Sequence, residues 1–121
     1  MKLDVVAEVR RHNAGREPER LALKYRAMRA SPFAFLRGSC HLFYARMARG
    51  GVHKRAPSGW ICGDLHFENF GSFQGDNGLA YFDITDFDES ALAPVTWDLA
   101  RFLASVEVGA KALQVDAAGA E

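Results

Sequence analysis

Phe70 to Phe73 and Leu79 to Ile84 flank the run Gln74-Gly75-Asp76-Asn77-Gly78. Two short apolar segments around a stretch rich in Gly, Asp and Asn read as two strands and a hairpin turn, because those residues tolerate the positive φ that tight turns need. No other stretch constrains the chain as much. The hairpin carries Asn69 at one end and returns Asp86 beside it at the other, although 17 positions separate them in sequence.

The residues at the open end of this hairpin have a chemical pattern. Residues 63 to 69 read Gly-Asp-Leu-His-Phe-Glu-Asn, and Thr85-Asp86-Phe87 follows the second strand. Asp64 is placed to receive a hydroxyl proton, and Asn69 and Asp86 to hold magnesium. That is the division of labour in phosphoryl transfer from a nucleotide. Magnesium is a hard cation that takes a few oxygen ligands and keeps its waters. The transferred group needs little covalent help, so positioning and charge neutralisation do most of the work. Asp88, two residues past Asp86, is the candidate for a second metal contact.

Gly63-Asp64-Leu65-His66-Phe67-Glu68-Asn69, the apolar strand ending in Asp86-Phe87, and Trp97-Asp98-Leu99-Ala100 occur in order. In this the chain resembles the aminoglycoside phosphotransferase and choline kinase group of the protein-kinase-like superfamily. The resemblance implies Asp64 as catalytic base, Asn69 and Asp86 as metal ligands, and His66 and Asp98 as supporting groups. The implied cofactors are Mg and ATP, and the implied acceptor is a hydroxyl of an unknown small-molecule substrate.

A second resemblance covers residues 20 to 108. Ser31-Pro32-Phe33-Ala34-Phe35-Leu36-Arg37-Gly38, Cys62 through Gly71, and Asp86-Phe87-Asp88-Glu89 are similar to an uncharacterised bacterial family, a domain of unknown function that shares this loop. Its members are longer, so the chain is expected to be an N-terminal fragment. Its partner is then the missing C-terminal part of the protein or a second chain. No glycine-rich phosphate loop or Walker Gly-Lys-Ser/Thr is present to hold a nucleotide. The isolated chain is therefore expected to be inactive.

Two other functions compete: a catalytically inactive kinase-like remnant or binding module, and a metal-dependent hydrolase built on the Asp/His/Asn cluster, in which His66 would suit zinc or manganese. Arg37 reads as a surface or carboxylate-paired arginine. Its functional alternative is a phosphate clamp, which suits a fork of five donors.

The fold class expected is α+β, a partial protein-kinase-like catalytic lobe with helices flanking a short strand and the hairpin. Residues 1–16 read as a flexible arm, 17–110 as the lobe and 111–121 as a truncated helical tail. A helix over 17–29 buries Leu21, Tyr25 and Met28. Ser31-Pro32 starts a second helix running to about Ala48, striped by Phe33, Leu36, Cys40, Phe43, Tyr44 and Met47. Trp60-Ile61-Cys62 is a strand. Pro94 and Thr96 open a last helix with Leu99, Phe102, Leu103, Val106 and Ala110 inward.

A length of 121 residues suits one small domain. Thirteen Lys/Arg against four Asp/Glu fill residues 1–60, while residues 61–121 reverse the balance with two against eleven. Arg10-Arg11 and Lys54-Arg55 are too sparse for a nucleic-acid surface. Two cysteines, neither in a CxxC pair, fit a reduced cytoplasmic setting. No signal peptide is recognisable, and no stretch reaches the roughly 20 apolar residues of a membrane span.

Overall fold

The structure is a computed structural model of the chain and describes residues 3–50 and 55–112. Contacts divide the chain into two compact units, Met1–Val52 with Glu107–Glu121, and His53–Val106.

The first unit is helical. α1 spans Val5–His12, and Asp4 caps it by accepting the Ala7 N–H at 3.0 Å. The residues read as a loosely held arm thus contain a capped helix. α2 (Pro18–Ala30) begins on a proline, where the missing N–H costs nothing. Met28 is its buried residue, with Leu21 and Tyr25 half-buried.

The helix expected from Pro32 to Ala48 is two helices, α3 (Pro32–Gly38) and α4 (Cys40–Arg49). Ser31 caps α3 through the Ala34 N–H at 3.0 Å. The break at Ser39 has local and tertiary causes. The Ser39 hydroxyl donates to the Phe35 carbonyl at 2.5 Å, and its N–H donates to the Leu36 carbonyl at 3.4 Å. A Cβ on Gly38 would stand 2.6 Å from Met28 Cγ, so glycine there lets α2 and α3 approach.

The second unit is built from two antiparallel ribbons. β1 (Ser58–Ile61) pairs with β4 (Ala91–Pro94), and β2 (Phe70–Gln74) pairs with β3 (Ala80–Ile84). The β2–β3 turn forms as expected: Gly78 has φ +77°, and Asn77 Oδ1 accepts the Leu79 N–H at 3.1 Å. β4 had no recognised counterpart in the sequence. α5 (Thr96–Ala112) follows it. The ring of Phe70 on β2 meets Phe102 on α5 edge-on at 5.6 Å.

The face that α5 buries corrects the expected one. Leu99 and Leu103 are each 57 % exposed and Val106 42 %, while Arg101 and Ser105 are fully buried. The apolar core of this unit is Ile61, Cys62 and Leu65. Trp60 and Leu92, cross-strand partners on β1 and β4, are both exposed. The chain is thus mixed α+β. The expected tail lies beyond the described residues except for Lys111 and Ala112 at the end of α5, as do Gly51, His53 and Lys54.

Candidate functional site

The loop between β1 and β2 is held by one row of polar side chains on α5. Asp98, Arg101 and Ser105 are spaced i, i+3, i+7, which puts them on one helical face. Asp98 Oδ2 accepts the Cys62 N–H at 2.7 Å and its Oδ1 accepts the Gly63 N–H at 3.1 Å. Arg101 donates to Asp64 Oδ1 from Nε at 3.0 Å and from Nη2 at 2.6 Å. Ser105 Oγ accepts the Phe67 N–H at 3.2 Å, and its hydroxyl donates to the Phe102 carbonyl at 2.7 Å. The helix and the loop therefore run in step, residue by residue.

Asp98 lies in the first turn of α5. It supplies the acceptors that two loop amides need once buried. Its charge and its hydrogen bond also act on Cys62. Burial first, then the Asp98 carboxylate, push the Cys62 thiol up to about 12. The thiol is protonated at neutral pH and has little nucleophilic character.

The remaining turn of the loop closes on itself. His66, 2 % exposed, donates its backbone N–H to Asn69 Oδ1 at 2.8 Å, and its carbonyl accepts the Asn69 N–H at 2.9 Å. These bonds define a 3-10 turn over Phe67–Asn69. The Asn69 carbonyl then accepts both the N–H and the hydroxyl of Thr85, each at 2.8 Å. The hairpin thereby brings Asn69 against the residue that precedes Asp86. Gly63 adopts φ +99°, and a Cβ there would fall 2.2 Å from the Glu89 carbonyl oxygen. The loop thus passes directly over the segment after β3, where only glycine fits.

The named residues fall into three places. Asp64, His66, Asn69 and Asp98 are gathered by the loop and α5. Asp86 and Asp88 are exposed on the segment after β3, where Asp86 Oδ1 accepts the Asp88 N–H at 3.1 Å. Arg37 is exposed on α3, in the helical unit. Among the described residues no three His, Cys, Asp or Glu side chains converge as a metal cluster.

Arg101 and Ser105 were not recognised from sequence. Both break the apolar run of α5 at the spacing set by Asp98, and that spacing was the available signal.

A family model described as an uncharacterized protein conserved in bacteria (DUF2252) matches residues 16–121. The chain belongs to this family. Membership in DUF2252 agrees with the second resemblance drawn from the sequence and covers the whole loop and α5. The matched span begins after α1. No curated protein and no solved structure matches the chain. No helix among the described residues is long and apolar enough to cross a membrane.

Proposed function

We propose that the β1–β2 loop, the β2–β3 hairpin and α5 form the catalytic-loop part of a magnesium-dependent phosphotransferase acting on a small-molecule hydroxyl. The carrying observation is the Arg101–Asp64 pair. Both guanidinium bonds end on Oδ1, which fixes the carboxylate while Oδ2 keeps its lone pairs for an acceptor hydroxyl. Asp64 is one-fifth exposed, so a substrate can reach it. It would orient the hydroxyl and take its proton as the phosphoryl group arrives.

The metal donors fit magnesium by their chemistry. Asn69 offers an amide oxygen, and Asp86 and Asp88 offer carboxylates, all hard oxygen ligands. A bound magnesium ion would supply charge neutralisation at the phosphoryl oxygens. Asn69 Oδ1 already accepts the His66 N–H, and a carbonyl oxygen has a second lone pair. The chain shows no phosphate loop for a nucleotide, so the residues named here serve the acceptor and the metal rather than the donor's cradle.

The inactive-module reading rests on the same ion pair, since a buried arginine on a loop carboxylate also staples a loop. The hydrolase reading has less support, because His66 is 2 % exposed and committed to the turn by its backbone. Phosphate transfer from labelled ATP to a broad panel of hydroxyl compounds decides. Asp64→Asn should abolish transfer while magnesium binding persists, because the amide keeps the shape but cannot take the proton. Asp86→Ala should weaken magnesium binding itself. Magnesium binding unchanged by Asp86→Ala, with no transfer to any acceptor, would move the assignment to the inactive module.

A further inference from the structure

α1 precedes the family-matched residues, and its C-terminal end meets α4 through a ring stack. His12, its last residue, stacks flat on His41 of α4, with ring centroids 3.9 Å apart and planes 6° from parallel. His41 Nε2 is buried and has no hydrogen-bond partner. His12 is exposed, and a cavity of about 290 Å³ opens beside the pair, lined by Glu8, Arg11, Leu42 and Ala45 as well as the two rings. Water and protons therefore reach the stack from one side.

We propose that the His12–His41 stack is a pH-sensitive latch that holds α1 on α4 while both imidazoles are neutral and releases it when they are protonated. Two neutral rings can stack at this distance. Two imidazolium rings would place like charges face to face, and a protonated His41 would bury an Nε2–H with no acceptor, which costs free energy. The surroundings add to the effect. His41 is held below the usual imidazole value of 6.5 by its burial first, then by His12 and by Lys24 on α2, with Arg11 acting the same way. The Glu8 carboxylate opposes them, but it is also ion-paired to Arg11.

Val9 is the buried residue of α1, and the capping Asn13, fully buried, accepts from Lys24 Nζ at 2.9 Å and donates to the Val9 carbonyl at 2.8 Å. On its other side, α1 forms one wall of a groove of about 460 Å³, with Val5, Val6 and Val9 opposite Tyr25, Met28 and Phe35. Release would open that groove.

The sign follows from the lowered His41 value. Docking is fully supported above about 6.5, the ordinary imidazole value, and is lost progressively as pH falls below it. The inference is independent of any phosphotransferase activity, since it concerns residues outside the loop.

Amide hydrogen exchange on the whole chain tests it, with intrinsic rates corrected for pH. Protection of Val9 to Asn13 should fall by about tenfold per pH unit below 6.5 for each proton taken up on release. Protection in β2 and β3 should hold. His41→Phe and His12→Phe each keep a flat ring and remove one charge, and each should flatten this dependence. In the unmodified protein, the His41 ring protons should titrate with a midpoint below 6.5. A midpoint at or above that value, α1 protection unchanged between pH 7.5 and 5, or the same loss in both Phe variants would overturn the latch.

Discussion

Arg101, only 1 % exposed, is neutralised by the loop carboxylate of Asp64, which is 20 % exposed. A buried guanidinium depends on its partners, and removing the Asp64 carboxylate takes away a charge that offsets its desolvation. Asp64→Ala should therefore destabilise the fold by on the order of 3 kcal/mol, read from urea unfolding. The double change Asp64→Leu with Arg101→Met should cost less than Asp64→Ala alone, since it removes the buried guanidinium together with its carboxylate. A double variant less stable than the single one would mean that Arg101 holds the loop through something other than this pair.

The Cys62 thiol should be nearly inert. With its ionisation pushed up to about 12, roughly one thiol in ten thousand is thiolate at pH 8. In a Cys40→Ala background, iodoacetamide should label Cys62 far more slowly in the native protein than in urea. Asp98→Asn should speed native labelling, because it removes a charge that disfavours the thiolate. Native labelling as fast as labelling in urea would contradict the burial and the Asp98 contact together.

The same shift bears on stability in alkali. Because the folded state resists thiol ionisation, its contribution is fully present below the usual value of 9.0 and fades as pH rises toward about 12. Cys62→Ala should remove that part of the alkaline loss. Parallel decline of the two proteins between pH 9 and 11 would count against it.

Gly63→Ala should be severe. The backbone there is in the left-handed region, and the added carbon would meet the Glu89 backbone. A non-glycine residue in such a conformation costs about 1–3 kcal/mol before any clash. Gly78→Ala, with a similar φ and open space around it, should cost only the conformational part. Melting temperatures of the two variants give the comparison, and equal losses would argue against a close loop–Glu89 approach.

The hairpin was legible because its cause is local: Gly75, Asp76, Asn77 and Gly78 specify a turn wherever they stand. The break between α3 and α4 was not, because Gly38 takes its meaning from Met28 on another helix. β4 was missed because Ala91-Leu92-Ala93-Pro94 lacks the branched and aromatic residues that mark strands. The site divides the same way. Asp64, Asn69 and Asp98 stood out as a spaced motif. Arg101 and Ser105 did not, because the apolar residues around them carry the stronger helical pattern in α5. The loop covers that helix's polar row instead: Asp98 accepts from the Cys62 and Gly63 amides, Arg101 donates to Asp64, and Ser105 accepts from Phe67.

The polar row on α5 has a consequence for what the chain can tolerate in evolution. Each residue of an α-helix turns the next by about 100°. One residue inserted between Asp98 and Arg101 would leave the first anchor in place and swing the other two off the loop. Exchanges of exposed Leu99 or Leu103 alter only surface, whereas insertions and deletions inside α5 decouple Asp64 and Phe67 from their supports. Lineages that keep this loop must therefore conserve the length of α5 from Asp98 to Ser105 more strictly than the identity of its apolar residues.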